Sequence, residues 1–361
     1  MNNSTHDLRF GPLAADDEDT VGQWLRLLAD SAGDVPGAAP PCPADMTGSL
    51  RFPPPATKLE DWVVRQDGRV VGALRLALPD GAEVARVDQL LVHPELRRRG
   101  IGRALYGRAL ELAAGHGRSA LAATVVEALP GGPARDAGPA AFAAAMGAHR
   151  SAVPDGVHQW LDLDRHDPLA DGVPEVPAGY SLVTWGTITP DEYAVRVSVL
   201  EQSLGDASDA GAEDSGDTAN TSDTDDTDDT DDTEQQQIRT SYAREFETMR
   251  VGRGRRAYHT GVVHDASGAL AGYTSVSKTT GNPEFALQGM TVVHRAHRGH
   301  RLGMLLKLAN LEYVLRHEPA VRLIETANAE DNDAMIAVNA SMGYVPYERW
   351  VSWTGVVGSA D

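Results

Sequence analysis

The sequence predicts a mixed α/β protein built as two tandem copies of one fold, on three observations. Segments recur in order: Asp67-Gly68-Arg69-Val70-Val71-Gly72-Ala73 returns as Ser267-Gly268-Ala269-Leu270-Ala271-Gly272-Tyr273. Val92-His93 followed by Arg97, Gly102 and Leu105 returns as Val293-His294 followed by Arg298, Gly303 and Leu306, and Met146-Gly147-Ala148 returns as Met342-Gly343-Tyr344. Their common displacement of roughly two hundred residues is a domain-sized period, far longer than a solenoid repeat. The second observation is size: 361 residues is about twice an ordinary domain, and 42% hydrophobic residues can give each half its own core. The third is that strand-like runs, a hairpin and a strand-loop-helix passage follow one another in the same order in both halves.

The first half opens with a strand-like Asp7-Leu8-Arg9-Phe10 and a helical stretch over Thr20 to Leu28 with apolar residues at helical spacing. A proline-rich stretch runs from Pro36 to Pro55. Trp62-Val63-Val64-Arg65 and Val70 to Leu76 flank Asp67-Gly68, a two-residue turn signal that predicts a hairpin. Val87 to Leu112 reads as strand, loop and helix. The segment from Asp164 to Pro177, rich in Pro, Asp and Gly, reads as a linker. The expected domains are residues 1–165, a linker at 166–178 and residues 179–361, with an acidic insertion at about 205–236.

That insertion dominates the charge. Residues 206–234 hold 13 acidic groups and no Lys or Arg, so the net charge of −20 leaves only −7 for the rest of the chain. Without apolar residues to offset chain entropy, the segment is expected to be disordered, and its Thr-Asp-Asp triplets lack the glycine and closing glutamate of a calcium loop. Lysine occurs only at 58, 278 and 307. An acidic, lysine-poor surface argues against nucleic-acid binding and suits either a salt-rich cytoplasm or a GC-rich genome. No run approaches ~20 apolar residues, and the first residues have neither a basic start nor an apolar core, so the expectation is a cytoplasmic protein with no membrane partner. Cys42, the single cysteine, lies between Pro41 and Pro43 and reads as an inert loop residue.

The chemistry is concentrated after the strand Val87-Asp88-Gln89-Leu90-Leu91-Val92. A turn at His93-Pro94-Glu95-Leu96 leads into Arg97-Arg98-Arg99-Gly100-Ile101-Gly102 and a helix beginning near Arg103. A basic, glycine-bearing loop entering a helix points backbone N–H groups at one place, at the positive end of the helix dipole, and suits a pyrophosphate. A dinucleotide fingerprint would need glycine at Leu105, and a P-loop would need Gly-Lys-Ser/Thr, so a kinase is disfavoured.

Arg97-x-x-Gly100-x-Gly102, preceded by Val92-x-Pro94 and followed by Met146-Gly147, resembles the coenzyme A loop and the next block of the GCN5-related N-acetyltransferases. The resemblance implies, for each half, a mixed, mostly antiparallel sheet with helices on both faces, in the α+β sense, whose central strands splay into a V for acyl-CoA. It implies acetyl-CoA or another short acyl-CoA as co-substrate, no metal, and direct acyl transfer to a primary amine of a small molecule or peptide. Leu90, Leu91, Val92, Arg97, Arg98, Arg99, Gly100, Ile101, Gly102 and Arg103 would then hold the coenzyme. In the second half Thr291, Val292, Val293, Arg298, Gly299, His300, Arg301, Leu302, Gly303 and Asn332 are the corresponding candidates.

The halves depart from the family pattern differently. Many relatives carry a tyrosine proton donor four residues before the Met-Gly glycine; Ala143 and Asn339 stand there instead. Arg301 replaces the middle glycine of the loop, so the first half has the better coenzyme loop, whereas Glu325-Thr326-Ala327-Asn328-Ala329 gives the second the more polar wall. Asp88 is the candidate base, acting directly or through water, with solvent-facing strand residue as the plainer reading; Glu284 and Glu325 are its counterparts. Tyr106 reads as packed on the sheet. His294, His297 and His300 alternate with Arg295, Arg298 and Arg301, whose charge opposes a divalent cation. The alternative to an N-acyltransferase is a non-catalytic acyl-CoA-binding sensor or scaffold of the same fold.

Overall fold

The computed structural model describes residues 8–34, 39–205, 241 and 243–358. It divides into two compact units, Met1–Asp155 with Tyr347–Asp361, and Gly156–Pro346. Residues 206–236 of the acidic insertion lie outside the described residues.

The first unit contains β1 (Arg9–Pro12), α1 (Glu18–Ser31), α2 (Pro43–Arg51), β2 (Thr57–Gln66), β3 (Arg69–Pro79), β4 (Val84–Val92), α3 (Ile101–Gly115), β5 (Ala120–Ala128), α4 (Gly138–Ala145) and the short β6 (His149–Arg150). The second contains β7 (Gly156–Asp162), β8 (Tyr180–Trp185), α5 (Asp191–Gly205), α6 (243–252), β9 (Arg255–His264), β10 (Leu270–Thr279), β11 (Phe285–Val293), α7 (Leu302–His317), β12 (Leu323–Ala329) and α8 (Asp333–Ser341). β13 (Val345–Val356) follows and belongs almost entirely to the first unit.

In the first unit β1, β2, β3 and β4 pair antiparallel in sequence order, β4 pairs parallel with β5, and β5 pairs antiparallel with β13. In the second, β8, β9, β10 and β11 are antiparallel neighbours, β11 is parallel to β12, and β12 is antiparallel to β7. The pairing pattern is thus the same six-strand mixed sheet twice. The sixth strand of each comes from the other half of the chain: β7, within the range 1–165, completes the second sheet, and β13, within 179–361, completes the first. Residues 163–179 between β7 and β8 contain no helix or strand.

Local chemistry accounts for the elements. Asp17 caps α1 by accepting from Thr20 N at 3.1 Å, and Glu18 and Asp19 complement the first turn. Val21, Trp24, Leu27 and Leu28 of α1 bury against Val63, Val70 and Ala73 on one face of the sheet. On the other face Ile101, Leu105, Ala109 and Ala113 of α3, spaced by four, pack on Leu74, Leu76, Leu78, Ala85 and Leu121. Asp67 and Gly68 both take positive φ, 51° and 78°, giving the predicted two-residue hairpin. The proline-rich stretch is not wholly irregular: Pro43 starts α2, where its missing N–H costs nothing. Cys42 is buried just ahead of it.

The repeated glycine of the hairpin segment has a steric reason. A Cβ on Gly72 would meet Leu91 O and Val64 Cγ1 at 2.9 Å and Leu105 Cδ1 at 3.0 Å; one on Gly272 would meet Val292 O at 2.7 Å and Leu306 Cδ1 at 3.1 Å. Each glycine lets the helix after the loop settle on the sheet. Gly72→Val or Gly272→Val is expected to cost at least about 1–3 kcal/mol by overpacking against a backbone carbonyl, read as a lowered urea midpoint, whereas Gly107→Ala, where a Cβ meets nothing within 4 Å, leaves the midpoint unchanged or raises it.

Candidate active site

Each sheet opens into a fork at its one parallel junction. β4 and β5 pair only over Val84–Val87 and Ala120–Ala123, yet β4 stays paired with β3 out to Val92 and β5 with β13 out to Ala128. Gln89 to Val92 and Thr124 to Ala128 therefore diverge. In the second unit the parallel pairing covers Phe285–Leu287 and Leu323–Glu325, and Val293 and Ala329 end the separated arms.

A bulge marks the start of each fork. Register between β3 and β4 slips so that Asp88 is extra, and between β10 and β11 Gly289 and Met290 together oppose Ser275. In the second unit the Gln288 side-chain amide pins this bulge, donating to Thr274 Oγ1 at 3.0 Å and Ser275 O at 2.8 Å, and Gly289 leaves room for Ser275 Oγ. In the first unit Gln89 Oε1 accepts from Trp24 Nε1 at 2.9 Å.

The loops beyond the arms share one backbone shape. In the first, Arg98 and Gly100 take φ of 62° and 89°; in the second, Gly299 and Arg301 take 85° and 57°. Both loops thus use two left-handed residues separated by one, and each places its glycine at a different member of the pair. Arg301 adopts the conformation of the glycine it replaces. Ala104 N donates to Gly100 O and Leu305 N to Arg301 O, but the amides of residues 98–103 and 299–304 meet no acceptor among the described residues. Among the described residues no side chain caps either helix. Such amides at a helix N-terminus form an anion cradle.

The candidate coenzyme residues fall into distinct roles. Arg97 is a brace: its Nε donates to Val92 O at 3.2 Å, and its terminal nitrogens grip the Asp34 carboxylate. Arg298 Nε makes the same bond to Val293 O at 3.3 Å. Arg99 donates to Glu95 O. Arg98 and Arg103 have no ion pair among the described residues and supply the charge at the loop. Ile101 and Leu302 are buried helix starts, Gly102 leaves space beside Phe142, and a Cβ on Gly303 meets nothing within 4 Å. Leu90 and Val92 pack toward α3 and Leu91 toward α1, so this arm presents its backbone to the fork. Val292 is buried, Val293 packs beside α7, and Thr291 Oγ1 is shared with Thr274 Oγ1 at 2.7 Å. Asn332 caps α8, accepting from Met335 N.

The candidate carboxylates separate. Asp88 lies in the bulge with Oδ1 accepting from Arg86 Nε at 3.1 Å. Glu284 precedes β11 at the closed end of the fork, where its carbonyl accepts from Arg322 N and Leu323 N. Glu325 sits at the last parallel pair, against His158 Nδ1 at 2.5 Å. Tyr106 packs in the α3 cluster, edge-on to Phe142, and burial raises its hydroxyl pKa. The loop histidines are engaged: His294 Nδ1 accepts from Ala296 N, His297 Nδ1 meets Tyr180 OH at 3.0 Å, and His300 Nδ1 meets loop carbonyls. Burial and then the charges of His264, His294 and His300 lower the His297 pKa.

Sequence reading missed Lys307, which occupies on α7 the place of Tyr106 on α3. It is 2% exposed. Nζ donates to Asn339 Oδ1, and the Asn339 amide donates to Gln159 Oε1 at 2.8 Å and Asn328 Oδ1 at 2.7 Å. The ammonium also lies 4.9 Å from the centre of the Tyr344 ring, whose hydroxyl pKa burial raises. Burial alone lowers Lys307 to about 7.

A twice-built mixed sheet, forked at its parallel junction with a helix N-terminus at the mouth, is an arrangement suited to an acyl-CoA-dependent acyltransferase. The sequence profile of the Acetyltransferase (GNAT) family matches residues 34–130. A solved structure described as a tandem GNAT protein from the clavulanic acid biosynthesis pathway, without AcCoA, is 70% identical over 98% of this chain and all of its own, with a TM-score of 0.88. A GCN5-related N-acetyltransferase from Sphaerobacter thermophilus, 19% identical over 97% of this chain and 96% of its own, shares the fold at a TM-score of 0.63. No curated protein matches. The chain belongs to the GCN5-related N-acetyltransferase family, as a tandem member. Among the described residues no helix is long and apolar enough to cross a membrane.

Two stability measurements follow. Arg301→Gly relieves a left-handed arginine worth about 1–2 kcal/mol against about 0.4–1 kcal/mol of added unfolded-state entropy, so a slight stabilisation is expected, while Gly100→Ala destabilises; denaturant midpoints distinguish them. For Lys307 the folded pKa lies below the unfolded one, so between pH 7 and the ordinary lysine value the unfolded chain binds more protons and stability rises with pH. Lys307→Met is expected to be more stable than the parent near pH 7, with the advantage shrinking toward pH 10.

Proposed function

We propose that the protein transfers an acyl group, acetyl foremost, from acyl-CoA to a primary amine by direct attack within a ternary complex. The observation that carries this reading is the run of unpartnered amides over residues 98–103 at the mouth of α3, beside the separated arm Gln89 to Val92. A diphosphate satisfies those donors at the positive end of the helix, and Arg98 and Arg103 add charge. Arg97 holds the loop against the strand end. The strand arm offers free backbone groups to an extended amide-bearing chain, which aligns the thioester along the fork. Loop residues 298–303 have the same backbone form and are proposed as a second coenzyme site.

Reaction then needs an unprotonated amine held against the thioester carbonyl, and approximation within the fork supplies much of the rate. Asp88, in the bulge, is proposed to take the amine proton directly or through water. The 70% identical relative is described within a small-molecule pathway, which supports a small-molecule amine ahead of a peptide as acceptor. The surface outside the insertion carries too little positive charge to favour a nucleic acid, and a cytoplasmic setting with its acyl-CoA pool fits this reading.

Calorimetry with acetyl-CoA is expected to show binding at two sites, of which Gly100→Trp weakens the one at the first loop at least tenfold, and acetyl-CoA with a panel of amines is expected to release free thiol. Asp88→Asn is expected to lower that release at least tenfold without changing acetyl-CoA affinity. Binding without release from any amine would instead support a non-catalytic acyl-CoA sensor, the alternative suggested by Ala143 and Asn339.

A further inference from the structure

We propose that Lys307 is the proton donor to the departing thiolate in the second unit, held for that purpose by Asn339, whose amide Gln159 and Asn328 fix in place. The inference rests on the acyl-CoA reading above and adds to it a residue, a role and a place.

Lys307 lies six residues beyond Arg301, so its Cα is about 9 Å along the helix from the amides that open α7. Its side chain leaves the helix on the buried side. The chain of hydrogen bonds from Nζ through Asn339 ends at Asn328, on the part of β12 that has separated from β11. The amine is thus linked, through Asn339, to the separated arm of β12.

The charge arrangement is unusual for a buried lysine. Among the described residues Lys307 has no carboxylate partner, while Lys278, also buried, is paired with Glu318 at 3.0 Å. One amide oxygen, that of Asn339, and the face of the Tyr344 ring contact the Lys307 ammonium without fixing its charge. Tyr344 is the titratable side chain against it, and its hydroxyl stays neutral. A buried cationic donor with no resident anion favours any negative charge that develops beside it.

Thioester aminolysis develops such a charge. The amine nitrogen forms a bond to the carbonyl carbon, the carbon–sulfur bond breaks with its electron pair on sulfur, and the nitrogen proton leaves to a base or water. The thiolate takes a proton from the Lys307 ammonium, giving free thiol and a neutral amine that solvent reprotonates. With no anion beside it this amine holds its proton less tightly than an ordinary thiolate does, and their mutual attraction narrows the gap, so the proton passes between groups of similar affinity. The first unit has Tyr106 and Ala143 at the corresponding positions and lacks the network.

The test uses the full chain carrying Gly100→Trp, which confines coenzyme binding to the second loop, with and without Lys307→Met. Free CoA is titrated with pH and the thiolate followed by its ultraviolet absorbance, alongside release of thiol from acetyl-CoA and an amine. The expected result is a bound thiol pKa lower by about one unit or more with Lys307 than with Met. Thiol release should fall at least tenfold in Lys307→Met, with loss of the limb that declines above pH 7. Equal bound-thiol pKa values, or a pH profile unchanged by the substitution, overturn the assignment and leave the acyl-CoA reading standing. Binding to the parent chain that Gly100→Trp abolishes entirely also overturns it, by confining the coenzyme to the first unit. No CoA binding by the parent chain overturns the reading on which it rests.

Discussion

A place on one strand that tolerates no side chain governs both sheets. At Gly72 and at Gly272 the neighbouring strand's carbonyl and a leucine of the following helix come so near that even a methyl group has no room. Because Leu105 and Leu306 settle there, the helix lies low on the sheet and its first turn stands at the end of β4 or β11. The loop between them is then short, and it closes with two left-handed residues while Arg97 or Arg298 braces it to the strand's last carbonyl. The unpartnered amides follow from this geometry: a helix started so abruptly leaves its first donors without side-chain caps, beside a fork whose two arms do not pair with each other.

The two units keep that backbone and change its chemistry. In the first loop glycine occupies the second left-handed position, in the second loop the first, so the same shape is reached with the strain on Arg98 in one and Arg301 in the other. The larger divergence lies behind the loop. Tyr106 meets the ring of Phe142 in an apolar setting, whereas Lys307 enters a network of four polar side chains. The two units share the steric requirement at Gly72 and Gly272 and differ in the side chains behind the loop.

Much of this was legible in the residues, and what was not has physical causes. The hairpin at Asp67-Gly68, the strand feeding the basic loop and the helix after it could be read because turn chemistry and periodicity act locally. α2 was hidden inside a proline-rich stretch, since Pro43 at a first helical position leaves the same trace as proline in a loop. The strand exchange was invisible for a deeper reason: β7 and β13 carry the same pattern, and a repeat cannot say which copy a strand completes. Arg97 looked like a phosphate ligand because charge is visible in a sequence, whereas Asp34, which engages it, is 63 residues away. Lys307 was passed over because an isolated lysine in a helix usually faces water, and nothing local marks a buried one.

An amide contacts that lysine where, among the described residues, no carboxylate does, and this is the most informative contrast in the second unit. Lys278 shows the usual solution, an ion pair with Glu318 at 3.0 Å. Near Lys307 a carboxylate would do the same, fixing the ammonium permanently and cancelling its field in the fork. The Asn339 side-chain oxygen accepts from the amine, and Gln159 and Asn328 hold the Asn339 amide in turn, without contributing net charge. Neither protonation state is then strongly preferred near neutrality, because burial opposes the charge about as much as intrinsic basicity favours it. A group balanced in this way can give up a proton and recover it within a cycle, and its balance tips toward the cation only while an anion is beside it. That property requires burial, an amide network and the exclusion of acids together, and the three coincide at Lys307.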